Sequence, residues 1–529
     1  MVAPAFAGVQ RAIPDARASC PLPDKATLRL THVRSASDNR CMPVATSRAP
    51  ITWRQGLHGL GAAFGSPQPA TALPDPYWIA HDRDVATLLG LDEHWMSSDE
   101  ALRALSGNTV LPGSTPLATV YGGHQFGVWA GRLGDGRAVL LGETAQGQEI
   151  QLKGSGRTPY SRGGDGRAVL RSSIREFLAG TAMHGLGIST TRALALVGSP
   201  LPVQREEQET AAVLTRVAPS FIRFGHFEWF ASQGQTSELR QLADYVIERY
   251  YPECRDADGA GGNAYAGLLR AVSERTAHLI AQWQAVGFMH GVMNTDNMSI
   301  LGLTLDYGPF QFMDGYDPRH ICNHSDPLGR YAFDEQPGVG HWNVACLARA
   351  LLPLIADVAL AQTVIAAYTP AFHDAYLARM RAKLGLRAAF EGDEACIADL
   401  LRLLASERVD YPIFWRRLSH AAASGDHAPV RGLFIDGAAW DAWLLSFKKL
   451  LALDGKAPEA DLMLKTNPQY VLRNHLAELA IRDAKLGDFS TVQALQRVLA
   501  HPFDEHPGHD DWAGFPPDWA GTLSLSCSS

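Results

Sequence analysis

The hydrophobic pattern of this chain changes its period once, and that switch constrains the fold more than any composition figure does. As far as about residue 235 the apolar residues come in short runs punctuated by glycine, the pattern of strands and tight turns. From Glu238 onward they recur every three or four positions through long segments such as ELRQLADYVIERYY, LLRAVSERTAHLIAQWQAVGF, HDAYLARMRAKLGL and VLRNHLAELAIRDAKLG. A strand-rich first part followed by a helix-rich second part predicts an α+β chain with two lobes. At 529 residues, 46% of them hydrophobic and 19% charged, each lobe can bury its own core.

Local signals fill in the first part. YGGHQFGVWAGRLGDGRAVLLGE predicts a hairpin in which GVWA and AVLLG flank a Gly-Asp-Gly turn. EIQLK, ending in Lys153, predicts a further strand. RAVLRSSIREFLAGTAMHGLG carries apolar residues at helical spacing, is closed by Gly185 and Gly187, and leaves Glu176 off the apolar stripe. Upstream, a proline-rich linker, GSPQPATALPDP, leads into a short helical run, WIAHDRDVATLLGL. Residues 210–230, TAAVLTRVAPSFIRFGHFEWF, are rich in β-branched and aromatic residues and split by Pro219, which predicts strands and a turn.

Several classes of function fall away. A formal net charge of −8 leaves no electrostatic footprint for a nucleic-acid backbone, and no basic run suits an anionic membrane. The longest apolar segment, residues 347–368, is interrupted by Arg349, Pro353 and Asp357, so it predicts buried helical core instead of a bilayer span. Seven scattered cysteines without a CxxC pair predict a reducing compartment and no structural zinc. His320, His324 and His509 lack a third ligand at fixed spacing and predict no metal site. Residues 1–50 hold seven Lys or Arg against three Asp with little apolar periodicity, which predicts a disordered tail or a start placed too early, with a transit peptide the alternative, and no role in the fold.

Residues 290–310, HGVMNTDNMSILGLTLDYGPF, follow a helix of the second part at the boundary between lobes. They align with the catalytic segment of small-molecule phosphoryl-transfer enzymes of the kinase type, H-G-D-x-x-x-x-N followed by D-x-G. His290, Gly291 and Asn297 match, and Asp306-Tyr307-Gly308 supplies the metal-binding end. Val292 stands where the catalytic Asp belongs, and a valine can neither accept a proton nor orient a hydroxyl. Asn297 and Asp306 keep the oxygen ligands that Mg²⁺ on nucleotide phosphates requires. Asp296 offers a neighbouring carboxylate, either as a proton acceptor or as an Asx-turn that shapes the loop.

The other parts of such a site occur in the expected chain order. Gly134 and Gly136, in GRLGDGR, either let backbone approach phosphate, with Arg137 adding charge, or only make a tight turn. Lys153 ends a strand and Glu176 follows on the next helix, the arrangement by which a carboxylate holds an ammonium against a phosphate oxygen; taken singly, each is a surface charge. Asp165 either contacts nucleotide or caps the helix starting near Arg167. Arg216 and Arg223 flank Pro219 in an apolar setting and need an anion, whether a carboxylate or a phosphate.

Together, YGGHQFGVWAGRLGDGRA, QLKGSGRTPYSRGGDGRAVLRSSIREFL, VLTRVAPSFIRFGHFE, GFMHGVMNTDNMSILGLTLDYGPF, ICNHSDPLGRYAFDEQP and the terminal SCSS closely resemble the selenoprotein O family, called YdiU in bacteria, from about residue 51 to the end. The resemblance implies a protein-kinase-like bilobal fold: a tail over residues 1–50, an N-terminal lobe with a family-specific extension over 51–235, and a helical lobe with the catalytic loop and a redox tail over 236–529. It implies transfer of AMP from ATP, bound in a flipped orientation, to Ser, Thr or Tyr hydroxyls of proteins, with Mg²⁺ or Mn²⁺ as the metal. Gly134, Gly136, Arg137, Lys153, Asp165, Gly166, Arg216, Arg223 and Asp306 match the family's ATP-binding positions. Asn297 and Asp306 match its metal ligands, Asp296 its proton acceptor, and Glu176 the residue that positions Lys153.

The resemblance also implies a reversible disulfide between Cys322, in HICNHSD, and Cys527, which would make activity redox dependent. Protein substrates and ATP are the expected partners of a cytoplasmic monomer, with mitochondrial import the alternative for a eukaryotic source; nucleic acid and membrane are not expected. Two other readings stay open: a phosphotransferase with Asp296 as its base, and a nucleotide-binding scaffold without turnover.

Overall fold

The computed structural model describes residues 50–256, 261–453, 455 and 457–526; the expectations for Cys527 and, apart from Pro50, for residues 1–50 lie outside them. Strands β1 (Trp53–Arg54), β2 (Gly65–Pro67) and β3 (Tyr77–His81) precede three short helices, α1 (Arg83–Leu88), α2 (Glu93–Met96) and α3 (Asp99–Leu105). Next come β4 (Leu117–Thr119), β5 (His124–Gln125), β6 (Val128–Trp129), β7 (Ala138–Thr144), β8 (Glu149–Lys153) and β9 (Ala168–Val169). Helix α4 (Leu170–Gly185) and the long strands β10 (Arg192–Gln204) and β11 (Gln208–Ala218) follow. Nine of the described strands form one antiparallel sheet in the order β2-β4-β7-β8-β11-β10-β3, with β1 on β7 and β9 on β11.

Period-two alternation places helices on both faces of this sheet. Val139, Leu141, Val213 and Val217 pack with Val85 and Leu105 of α1 and α3. Leu140, Leu196 and Leu214, one position out of phase, pack with Ile174, Phe177 and Leu178 of α4. Each fully buried side chain of this size contributes about 1.5–3 kcal/mol, so a one-residue slip in register would be strongly disfavoured.

Helices dominate after residue 223: α5 (Phe224–Ser232), α6 (Thr236–Tyr250) and α7 (Ala264–Val286). Strands β12 (Phe288–Met289) and β13 (Gln311–Phe312) then pair Phe288 with Phe312 and Met289 with Gln311, so that residues 290–310 form one loop closed at its base. The remaining helices are α8 (Gln336–Ile355), α9 (Val358–Ile365), α10 (Tyr368–Lys383), α11 (Asp393–Glu407), α12 (Tyr411–Ser424), α13 (Ala428–Arg431), α14 (Gly437–Leu453), α15 (Ala460–Thr466), α16 (Asn474–Lys485) and α17 (Ser490–Ala500). Met380, Leu404, Phe414, Trp415 and Trp440 belong to a second core cluster, drawn mostly from α10–α15 and joined by Met289, Met313 and Tyr316. The architecture is thus the expected α+β one, a kinase-like bilobal fold with a large antiparallel sheet followed by a helical region. No helix among the described residues is long and apolar enough to cross a membrane.

Three local expectations need correction. GVWA and AVLLG are not hairpin partners: β6 pairs with β5, and β7 pairs with β4 and β8. The reason is Asp135, which sits buried instead of at a turn and accepts hydrogen bonds from the Thr119 amide (3.0 Å) and hydroxyl (2.6 Å), drawing the Gly-Asp-Gly segment against β4. The run WIAHDRDVATLLGL starts as strand because Asp82 caps α1 in mid-run, accepting from Asp84 and Val85 N–H. Residues after Arg223 in the 210–230 segment form α5 instead of strand, since Phe224, Phe227 and Phe230 at three-residue spacing are all buried. Residues 347–368 are helical, as expected, and divide among α8, α9 and the start of α10, with Ala356 left-handed (φ 57°) and Asp357 capping Leu360 N–H.

Candidate active site

A cavity of about 560 Å³ opens between the sheet and the 290–310 loop. Gly134, Gly136, Arg137, Lys153, Asp165, Gly166, Arg216, Arg223, Asp296, Asn297 and Asp306 all line it, together with Val292. Glu176 stands behind Lys153, outside the lining. Cys322 is buried next to Gly291, and its expected partner Cys527 lies outside the described residues. Gly134 has φ +84°, and a Cβ there would lie 2.5 Å from the Tyr160 ring, so the close approach of two backbone segments requires glycine at this point.

Behind the cavity runs a chain of buried charges. Lys153, at the end of β8, donates to Glu176 of α4. Glu176 also accepts from Arg216 Nε of β11 at 2.6 Å. Arg216 reaches on to the Gln151 side chain (3.1 Å) and Asp306 (2.5 Å), and Arg223 donates to the other Asp306 oxygen and to the Asp296 backbone carbonyl at 2.7 Å. The anion the two arginines needed is therefore carboxylate in this structure. Burial, with Arg216 alongside, pushes Lys153 down to about 8 against the pull of Glu176. Burial alone would raise Asp306, but Arg223, Arg216 and Lys153 outweigh it and hold this carboxyl well below the usual range.

Asp306 and Asn297 face the same space with different loads. Asp306 is ionised and accepts one arginine on each oxygen, which leaves each oxygen a second lone-pair direction. Asn297 spends its amide N–H on the Val292 carbonyl at 2.9 Å. Its carbonyl oxygen keeps no such duty, so the pair offers hard oxygen donors of the kind Mg²⁺ or Mn²⁺ takes.

Asp296, one residue away, differs again. It is 7% exposed, its Oδ2 accepts from Gln125 Nε2 at 3.2 Å, and its Oδ1 is buried with no partner. Burial raises its carboxyl to about 6, with Arg223 opposing. A carboxylate with that value and an unused oxygen is suited to taking up a proton near neutral pH. Gly123 lets the β5–β6 hairpin close over it: a Cβ there would stand 3.0 Å from Asp296 Oδ1.

Asp165 does not cap a helix. α4 begins at Leu170 with Val169 as its N-cap, while Asp165 accepts from Arg167 N–H (2.9 Å) and from both guanidinium nitrogens of Arg205 (2.7 and 2.9 Å). Arg205 and Gln125 are cavity residues that sequence reasoning passed over, as is Tyr121, whose ring lies 5.0 Å from the Arg223 guanidinium. Gln125 sits inside the YGGHQFG run, but nothing local marks a glutamine as the partner of a carboxylate 171 residues further on.

Fold and cleft together define a kinase-like transferase in which the usual base position is apolar. Residues 49–500 match the family model described as "Protein adenylyltransferase SelO", and the chain belongs to that family. A "Protein nucleotidyltransferase YdiU" of Variovorax paradoxus (strain S110) is 62% identical over 480 residues, 90% of this chain and 97% of the relative. Relatives of the same name from Albidiferax ferrireducens (59% identical; 90% of this chain, 97% of the relative) and Thiobacillus denitrificans (54%; 90% and 99%) match at similar extent. This chain is accordingly an enzyme, a nucleotidyltransferase.

Proposed function

We propose that this enzyme transfers AMP from ATP to Ser, Thr or Tyr hydroxyls of proteins, with Mg²⁺ as its metal and pyrophosphate as the product released. The observation that carries the reading is Asp296: a buried carboxyl raised to about 6, with Oδ1 unpartnered, beside Asn297 in the cavity where Val292 stands at the ordinary base position. Asp296 accepts the proton of the attacking hydroxyl, held in place by Gln125. The hydroxyl oxygen bonds to the α-phosphorus, and the bond from that phosphorus to the β-phosphate bridge breaks. A flipped nucleotide, with its α-phosphate nearest Asp296, makes this geometry compatible with loss of the Asp at position 292.

Asn297 and Asp306 hold the metal, which when bound neutralises phosphate charge. Arg216 and Arg223, beside Lys153 and Arg137, would supply N–H donors to phosphate oxygens in the cavity. Glu176 keeps Lys153 aimed at the cavity. The test is incubation with Mg²⁺, ATP labelled on the α- or the γ-phosphate, and a protein mixture as acceptor, with Asp306→Ala alongside. Incorporation of α-label, lost in Asp306→Ala, is expected. Incorporation of γ-label would replace the proposal with phosphotransfer, and nucleotide binding without either label would replace it with a scaffold.

A further inference from the structure

Outside the cleft, three side chains from distant parts of the chain converge. His124 of β5, Glu228 of α5 and Cys346 of α8 place one ligand atom each within 4.8 Å of one another. His124 Nδ1 and Glu228 Oε1 are 2.6 Å apart. Glu228 is 5% exposed, and besides His124 its carboxylate has the Thr295 hydroxyl as a hydrogen-bonding neighbour. The imidazole is held edge-on between the Trp129 and Trp342 rings, at 5.2 and 5.4 Å. A cavity of about 420 Å³ meets all three ligands.

We propose that His124, Glu228 and Cys346 form a metal site, separate from Asn297 and Asp306, that takes a divalent transition ion such as Zn²⁺. One nitrogen, one carboxylate oxygen and one sulfur are a borderline-soft donor set that Mg²⁺ does not select. Three protein ligands leave a fourth tetrahedral position, and the cavity supplies room for water there. Ligands around such an ion stand roughly 3.3–3.8 Å apart at ordinary bond lengths. The 2.6 Å pair therefore opens and the wider pairs close by about an ångström. Thiolate and carboxylate together balance a doubly charged ion, and Cys346 gives its proton to solvent as the metal–sulfur bond forms. Without metal the same residues are a histidine–glutamate hydrogen bond beside a thiol.

The site ties the β5–β6 hairpin to α5 and α8. The His124 backbone N–H bonds the Thr295 hydroxyl at 2.7 Å, and the next residue, Gln125, bonds Asp296. An ion here is thus a positioning device for the hairpin that covers Asp296, and its existence does not depend on which group the enzyme transfers.

The full chain, stripped with chelator and dialysed, is titrated with Co²⁺. One equivalent is expected to give a near-ultraviolet sulfur-to-cobalt band that Zn²⁺ abolishes and Mg²⁺ leaves untouched. The band should persist in Asp306→Ala, which lacks the cleft carboxylate, and vanish in Cys346→Ser. Glu228→Gln, nearly isosteric and expected to keep its far-ultraviolet circular dichroism, should weaken Zn²⁺ binding by at least about tenfold. A titration without the sulfur band, a band unchanged in Cys346→Ser, or Zn²⁺ affinity unchanged in Glu228→Gln would each overturn the site.

Discussion

Asp296 carries a cost that its neighbours do not. Its carboxyl ionises near 3.8 when exposed but is held up to about 6 by burial in the fold. Between those values the unfolded chain releases the proton while the folded one keeps it, so the folded state loses stability as pH rises through that window. By pH 7 the loss is on the order of 2–3 kcal/mol. Asp296→Asn, which removes the charge and keeps the shape, should make the protein more stable than the parent at pH 7 and no more stable at pH 4, measured by urea unfolding. The same variant should lower AMP transfer by at least about a hundredfold, and the parent's transfer rate should climb with pH around 6 as the carboxylate forms. Equal stability of the two proteins at pH 7 would mean that Asp296 is not under this strain. The sequence placed Asp296 beside Asn297; its burial and its empty Oδ1 come from Gly123 and Gln125, far away along the chain.

At the scale of elements, the charge chain through Lys153, Glu176, Arg216 and Asp306 connects β8, α4, β11 and the 290–310 loop. Glu176 is 4% exposed and serves two cations, so Glu176→Ala leaves both buried without that partner. A loss of about 3–5 kcal/mol in denaturant unfolding is expected. By contrast Arg402→Ala breaks a pair with Asp399 whose side chains are 77% and 56% exposed, and should cost about 0.5 kcal/mol or less. A Glu176→Ala loss below that of Arg402→Ala would remove the network from the account of stability. Chain order and period made β8 and α4 legible in the sequence, while α5 was misread, because its buried aromatics look like strand residues until the packing around them is known.

Across the whole described molecule, the last helices return to the first sheet. α17 packs on α4 and reaches the β3 edge, with Gln493 and Gln496 donating to the Ile79 and His81 carbonyls at 3.3 and 3.1 Å. The approach is close: a Cβ on Gly185 would stand 2.3 Å from the Leu499 carbonyl oxygen. Gly185→Ala should therefore force α4 and α17 apart at a cost of about 1–3 kcal/mol, seen as a lower melting temperature, with transfer activity at low temperature retained because the cleft is not touched. An unchanged melting temperature would show that the two helices can separate freely. In the sequence Gly185 read only as a helix terminator; its second duty depends on a helix more than 300 residues later.

What the sequence determined by itself was local: the strand-then-helix order, the residues of the 290–310 loop, and the chemical types that line the cleft, since period, spacing and motif are properties of neighbouring residues. What only the tertiary structure decided was how those groups load one another. Arg216 and Arg223 share Asp306, Asp296 keeps an unused oxygen, and His124, Glu228 and Cys346 meet although no motif joins them. Charge pairing, desolvation and ligand geometry depend on distances in space between residues far apart in the chain, and those distances exist only once the two lobes have packed.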